Sequence, residues 1–396
     1  MNGQNNTAAR KIEADREYVI SLRRYFHAHP ELSAKEYNTA EKIEQELDKI
    51  GLAHVRVGET GVYSEIKGTK NGGGKAIVLR ADTDALPVTE EHECSYKSLN
   101  DGVMHACGHD AHTAALIGAA RVLASCKDEF SGTVRLCFQQ GEEIGYGARK
   151  FIDGGYLNGA GRSVGIHLAP YIDVGKVGVT AGPNNASVDW FKINVRGKSA
   201  HISEPNSGVD AAYIMSLVVT RVKELLSLRA DPTESVVVGI GKITAGVAYN
   251  VIAERAEAEG TLRVYLPKLR AKMKEKITQI SEQTAKQHGG EASVEWRDFT
   301  SPLINSADAS ADVGKTAVGL FGAGNVITDL APRLAGDDFA EFINKTGGVY
   351  VYVGSRNKDV PETCAPLHNC RFDIDERCLD AGVKVYVFSA LDYLNF

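Results

Sequence analysis

No stretch of this 396-residue chain is apolar enough to cross a bilayer. The longest apolar runs, such as Ala114–Ala120, fall well short of the ~20 residues a spanning helix needs. The first residues, MNGQNNTAARKIEADREY, contain no apolar core of a secretory leader, so none is expected. A basic excess is also missing. Lys and Arg total 45 against 51 Asp and Glu, a net charge of −6. That balance argues against a nucleic-acid partner, which needs a patch that neutralises phosphates. Cysteine is odd in number, seven residues with no CxxC pair. A disulfide framework is therefore not expected, and the chain reads as one from a reducing cytoplasm. There is no low-complexity tract and no repeat. No GxGxxG follows an early strand, which speaks against a dinucleotide site. The glycine run from Gly68 to Lys75 fails as a phosphate loop. Ala76 stands where Ser or Thr would hold magnesium, and the run precedes a strand rather than following one.

What is present is ordinary globular composition, 43% hydrophobic and 24% charged, in a chain long enough for two or three domains. Helices are predicted over Glu13–His29, ending before Pro30, and over Asn38–Ile50, stopped by Gly51. The runs Tyr63–Ile66, Lys75–Ala81 and Thr133–Gln139 read as strands. KAIVLRA and TVRLCFQ suit strands buried on both faces. An Ala/Leu-rich helix lies between His109 and Ser131. Strand, helix, strand is the grammar of a doubly wound α/β domain. The middle differs. Strand Asp189–Val195, helix Val209–Leu228, strands Ser235–Ile243 and Ala256–Tyr265, helix Lys268–His288 and strand Ala292–Arg297 follow the β-α-β-β-α-β order of a ferredoxin-like α+β sandwich. This reads as a domain inserted into the α/β domain, giving boundaries of 1–185, 186–298 and 299–396. The α/β grammar resumes at the end with strand Gly348–Gly354 and helix Ala381–Leu394.

The densest cluster of reactive side chains is Met104-His105-Ala106-Cys107-Gly108-His109-Asp110-Ala111-His112. Thiolate and imidazole are ligands for zinc and similar ions. In a loop before the helix, with Gly108 allowing a tight bend, Cys107 and His109 can converge. The competing reading is a buried thiol beside surface histidines. Glu142 and Glu143 close the strand ending at Gln139, where function collects in open α/β sheets. Adjacent carboxylates on an extended segment diverge, so one can bind a metal while the other takes a proton from water. Alone, the pair is equally an acidic loop. His167, His201 and His368 are isolated, and lone histidines are more often structural. Asp82-Thr83-Asp84 ends the strand KAIVLRA and suits carboxylates that orient metal-bound histidines, or a mere acidic turn.

From Arg23 almost to the end, the chain resembles the dinuclear metal-dependent amidohydrolases of the aminoacylase/carboxypeptidase type. These include hippurate hydrolases, indoleacetyl-amino-acid hydrolases and N-acetyl-diaminopimelate deacetylases. The likeness rests on RRYFHAHPELSAKEYNTA (23–40), LRADTDALPVTE (79–90), MHACGHDAHTAALIGAA (104–120), Gln-Gln-Gly-Glu-Glu (139–143), GIHLAP (165–170), GKSAHISEPNSGVDA (197–211), NVIAERAEAEGTLR (250–263) and AGDDFA (335–340). It implies a zinc-exopeptidase-like catalytic domain with an inserted lid and dimerisation domain. Cys107, His109, Glu143, His167 and His368 are the implied ligands of two divalent ions per subunit. Zinc is the expected metal, and manganese, cobalt or nickel are the substitutes. Cys107 holds a place where related exopeptidases use a bridging Asp. Glu142 is the implied general base, and Asp84 the implied carboxylate behind a ligand. His201, Asn250 and Arg263 are the implied substrate-binding residues, with His201 acting in the partner subunit of a homodimer. The implied reaction is hydrolysis of the amide bond of a small-molecule N-acyl amino acid by a water activated at the metal pair. The alternative is a dipeptidase or carboxypeptidase activity on short peptides at the same site. Two departures stand out: Gln140-Gly141 where the family usually has Pro-Ala, and Asp337 where it often has Glu.

Overall fold

The computed structural model describes residues 3–229 and 235–395. It divides into two units. One takes the chain up to Asn184, then Ile304–Ala331, then Asp337 onward. The other takes Asn185–Leu303 and the short segment Pro332–Gly336.

The first unit is built on an eight-stranded mixed sheet. Its spatial order is His54–Val57, Gly61–Lys67, Thr133–Gln139, Ala76–Asp82, Arg162–Asp173, Gly348–Arg356, Val177–Gly178 and Val326–Ile327. The four strands from Thr133–Gln139 to Gly348–Arg356 run parallel. Ala76–Asp82 is buried at every position, and most of Arg162–Asp173 and Gly348–Arg356 likewise. That explains their unbroken apolar character, since helices cover both faces of a parallel sheet. The α/β reading therefore holds. Parallel strands end on the same side, and the register pairs Asp82 with Gln139. Polar residues distant in sequence thus gather along one rim.

Helix His109–Ser125 packs in the interior and is buried almost all round. Its close approach to neighbours depends on Gly118, where a Cβ would stand 2.7 Å from Val19 Cγ2 and 3.2 Å from Val383 Cγ2. The first expected helix is instead two, Gly3–Ala14 and Arg16–Ala28. Asp15 forms the joint, its carboxylate turned to accept from Arg121 Nε at 2.9 Å. The earlier helix is mostly polar. Ala8 and Ile12, four residues apart and fully buried, hold it to the core.

The second unit carries the expected β-α-β-β-α-β order. Its four-stranded antiparallel sheet runs Glu291–Thr300, Val188–Arg196, Arg255–Val264, Val236–Ala245. Strand Val188–Arg196 alternates buried and partly exposed residues, because one face meets helices Ala211–Arg229 and Pro267–Gln287. The segment Pro332–Gly336 returns to this unit by backbone bonds. Ala186 N–H donates to the Arg333 and Ala335 carbonyls at 3.0 and 3.1 Å. Among the described residues, no helix is long and apolar enough to cross a membrane.

Candidate metal centre and catalytic site

Strand ends and one tight turn assemble the centre of the first unit. Gly108 takes φ +88° between Cys107 and His109, a left-handed conformation that glycine adopts without strain. The chain doubles back there and enters the buried helix. Cys107 Sγ comes to 3.4 Å from His167 Nε2. His167 sits on strand Arg162–Asp173 and directs Nδ1 to the Leu168 carbonyl at 2.8 Å, leaving Nε2 toward the thiol. Cys107, His109 and His167 place one donor atom each within 4.8 Å of one another. Cys107, Glu143 and His368 do the same. The thiol thus belongs to both groups. His368 is a non-glycine residue at φ +65°. Its N–H donates to the Ala106 carbonyl at 2.7 Å, which ties the strained residue to the Cys107 loop.

The three histidines of the sequence cluster take three different places. His109 directs Nδ1 to the Asp84 carbonyl at 2.9 Å. Among the described residues its Nε2 has no hydrogen-bond partner, nor has Glu143 Oε1, although both atoms are buried. The two atoms stand 3.9 Å apart, and His368 Nε2 lies 3.3 Å from the same Glu143 oxygen. Buried donor atoms that converge without bonding one another are what a cation would satisfy. His112 is used otherwise. Leu168 N–H donates to His112 Nε2 at 3.0 Å, so His112 Nδ1–H donates to Asp82 at 2.6 Å. His105 is buried, and burial pulls its pKa down to about 4.

Asp84 works through others. One oxygen accepts from Ser33 at 2.6 Å and from Glu143 N–H at 3.0 Å. The other stands 3.3 Å from His109 Nδ1. The same carboxylate orients one donor side chain and anchors the backbone of the next. Glu142 shares a donor group with His109 and Glu143 and belongs to a second cluster as well. Its carboxylate lies within 4.8 Å of those of Asp337 and Asp338. Arg80, fully buried, reaches Asp82 at 2.7 Å, Asp338 at 2.9 Å and Asp337 at 3.2 Å. Tyr350 Oη–H donates to Asp337 at 2.5 Å.

The electrostatics follow from burial and these neighbours. Burial, then Asp337, Glu143 and Asp338, push the Glu142 pKa well above the usual carboxylate range against the pull of Arg80. Burial likewise raises Asp338 to about 7, with Arg80 opposing. Burial opposes charge on His109, but Asp82, Asp84 and Glu143 outweigh it and lift that pKa to about 10. Burial, Glu143 and Glu142 hold the Cys107 thiol well above its ordinary value.

The structure therefore gathers Cys107, His109, Glu143, His167 and His368, with Glu142 and Asp84 beside them. Arg80, Asp337, Asp338 and Tyr350 join this rim without having been singled out as site residues. The contacts among these four cross up to 258 positions of sequence. The departing Gln140 side chain turns away into the adjacent turn, donating to the Val57 carbonyl at 2.9 Å. Gly141 takes φ +60° and its N–H donates to Glu36 at 2.8 Å. The remaining three candidates lie in the second unit. His201 is exposed, with Nδ1 2.7 Å from Ser203 Oγ, and its strand bridge to Val251 brings it beside Asn250. Arg263 is half-buried, and its guanidinium donates to the Leu334 carbonyl at 3.4 Å.

Residues 78–392 match the family described as peptidase family M20/M25/M40. The chain belongs to that family. It is accordingly a metal-dependent hydrolase of amide bonds. An N-acetylcysteine deacetylase of Bacillus subtilis is 36% identical over 379 residues, 95% of this chain and 97% of the relative. A thermostable carboxypeptidase of Saccharolobus solfataricus is 34% identical over 392 residues, 98% of this chain and 97% of the relative. A crystal structure from B. subtilis, described as a dinuclear metal binding peptidase of the M20 family, superposes with a TM-score of 0.84 at 33% identity. That likeness covers 97% of this chain and 99% of the other. The zinc-exopeptidase-like fold expected from the sequence is thereby shown.

Proposed function

We propose that this protein hydrolyses the amide bond of N-acyl amino acids at a dinuclear centre, with Glu142 as general base. The observation that carries the reading is the Cys107 thiol, which belongs to two donor groups at once. One ion would sit with Cys107, His109 and His167, the other with Cys107, Glu143 and His368. Thiolate, imidazole and carboxylate together suit zinc, with manganese, cobalt or nickel as substitutes. When bound, such a pair polarises the amide carbonyl and acidifies the attacking water.

This chain's own residues do the rest. Glu142 takes the proton as the water oxygen bonds the carbonyl carbon. Its raised basicity lets it hold that proton and then hand it to the leaving nitrogen as the C–N bond breaks. Arg80, beside Glu142, opposes this rise in pKa and so limits how far it goes. Asp84 orients His109. His201, Asn250 and Arg263 bind the substrate, His201 from a partner subunit. The deacetylase relative supports the N-acyl amino acid reading. The carboxypeptidase relative favours a second reading, cleavage of short peptides by the same chemistry. Seven unpaired cysteines support a reducing cytoplasm as the location.

Release of free amine from N-acetyl, N-benzoyl and indoleacetyl amino acids, N-acetyl-diaminopimelate and dipeptides tests the reading. A preference for one acyl class, abolished by chelator, is expected. Dipeptides as the best substrates would replace it with the second reading.

Strand Val236–Ala245 supports a homodimer. It is an edge of its sheet, and the residues on and after it expose Ile243 (55%), Val247 (92%) and Tyr249 (97%), a patch that association would cover. If His201 acts across such a dimer, mixing inactive His201→Ala and Glu142→Gln subunits restores part of the activity. No recovery after verified subunit exchange would remove the shared-site assignment.

Metal binding should release protons. His109, lifted to about 10, carries a proton at neutral pH without metal, and the Cys107 thiol is protonated too. Both must lose it to ligate. Apparent affinity therefore rises with pH from 6 to 9, and the heat of binding depends on the ionisation enthalpy of the buffer. A pH-independent affinity would exclude these two residues as ligands. Cys107→Ala should also lower the bound stoichiometry.

A further inference from the structure

One histidine of the Cys107–His112 run has no part in the proposed reaction. His112 is fully buried on the first turn of helix His109–Ser125. Both of its ring nitrogens are taken. Leu168 N–H donates to Nε2 at 3.0 Å, and Nδ1 stands 2.6 Å from Asp82 Oδ1. A backbone N–H can only donate, so Nε2 carries no proton and Nδ1 carries it toward the carboxylate. His109 and His167 differ. Among the described residues His109 Nε2 has no partner, and His167 Nε2 faces the Cys107 thiol. Asp82, His109 and His112 also bring one ligand atom each within 4.8 Å of one another. Residue type and proximity would therefore make His112 a metal ligand. Its two hydrogen bonds leave it no nitrogen for that role.

The sheet explains why Leu168 needs this partner. The register of strand Arg162–Asp173 with Ala76–Asp82 runs only from Arg162 to Gly165, while pairing with Gly348–Arg356 continues through Ala169. Beyond Gly165 the strand has lost its neighbour on one side. Buried backbone groups in such a stretch must find other partners. Leu168, itself buried, gives its N–H to His112, and its carbonyl accepts from His167 Nδ1 at 2.8 Å.

We propose that His112 is a positioning residue for His167. By holding the Leu168 N–H it fixes the backbone whose carbonyl orients the His167 ring, so that His167 Nε2 points at the ion. Asp82 sets the tautomer that makes His112 an acceptor. Asp82 is itself held by Arg80 at 2.7 Å, and the Thr113 hydroxyl donates to its carbonyl at 2.9 Å, tying the helix start to the same strand end. Orientation thus passes from Arg80 through Asp82, His112 and Leu168 to His167. The inference rests on the reading that Cys107, His109 and His167 hold an ion.

Two substitutions separate the two bonds of His112. His112→Gln puts an amide oxygen near the place of Nε2, which keeps an acceptor for Leu168 and gives up the donor to Asp82. His112→Asn puts an amide nitrogen near the place of Nδ1, which keeps that donor and leaves the Leu168 N–H unpaired. Zinc is titrated into each metal-free protein against a chelating indicator, and the metal-free Tm is recorded. Affinity for one of the two ions should fall about 10–100-fold in His112→Asn, the usual effect of losing a partner behind a ligand. It should stay near the parental value in His112→Gln, even though that variant also loses a buried hydrogen bond and some Tm. Equal loss in both variants, or affinities that simply follow Tm, would make His112 a packing residue and overturn the proposal. No loss in either would overturn it too. Cys107→Ala is the control on the underlying reading: unchanged zinc stoichiometry there refutes the ion group itself, whereas a failed expectation confined to the His112 variants refutes only the positioning. If neither variant folds, NMR of isotope-labelled histidine in the parental protein reads the tautomer. A proton on His112 Nδ1 before and after zinc loading is expected. A protonated Nε2, or an Nε2 resonance moved to a metal-bound position by zinc, would overturn the assignment.

Discussion

Glu142→Gln should lower kcat by roughly 10²–10⁴, the range general acid–base catalysis supplies, while metal content stays at the parental level. The two halves of that expectation have separate causes. Gln keeps the shape of the side chain but cannot accept a proton from water. The donor atoms of Cys107, His109, Glu143, His167 and His368 are untouched. Glu142 shares a cluster with Glu143 and His109 as well as one with Asp337 and Asp338, so the metal measurement decides between two roles. Loss of an ion together with activity would make Glu142 a ligand rather than a base. Retained turnover would sink both. The raised pKa adds a further signature. Burial and the neighbouring carboxylates lift Glu142, so activity in the parent should fall on the acid side as this group takes up its proton. The residual activity of Glu142→Gln should lack that limb. The reading requires kcat/KM against pH for both proteins.

How much of this could be read before the fold was known depends on the distance over which each contact acts. The convergence of Cys107 and His109 is a local matter. It needs one glycine at positive φ, and Gly108 supplies it. The buried parallel strands declared themselves by unbroken apolar runs, and the second unit by the alternation of its strands with two long helices. His167 and His368 were different. Each is a single histidine in its own stretch, and residue type and spacing carried no information about its neighbours. Family resemblance pointed to them. Physically, parallel pairing places His167 at the rim, and a bond from His368 N–H to the Ala106 carbonyl, across 262 positions, places the other. The same limit hid the joint at Asp15. A continuous helical period was visible there, while the Arg121 partner of its carboxylate lies 106 positions away. The first helix was hidden by its polarity, because two buried side chains suffice to hold it.

Arg80 shows the consequence of that hidden layer most directly. Arg80→Met should destabilise the protein by about 3–5 kcal/mol, the usual cost of removing one partner of a buried ion pair. In a unit of this size that corresponds to a fall in Tm of roughly 10 °C. Methionine restores much of the volume, so the loss is electrostatic rather than a cavity. Arg80 bonds Gln139 at 2.9 Å and pairs with Asp82, Asp337 and Asp338. Without it, Asp337, Asp338 and Glu142 face one another in the interior with no guanidinium among them, while Asp82 keeps His109 and His112 beside it. The folded-state pKa values of Glu142 and Asp338, already above the usual carboxylate range, would then rise further. A group shifted that way stabilises the fold when protonated and loses that stability as pH rises through its folded pKa. The gap in Tm between variant and parent should therefore be widest near pH 8 and narrow as pH falls toward 5.5. Acid effects elsewhere act on both proteins and cancel in the difference. Metal-free samples keep bound cations from standing in for the guanidinium. A gap constant across that range would mean that Arg80 contributes packing and hydrogen bonds, and that the carboxylates neutralise one another by sharing protons. Asp338, already lifted to about 7 in the intact protein, is where such sharing would begin.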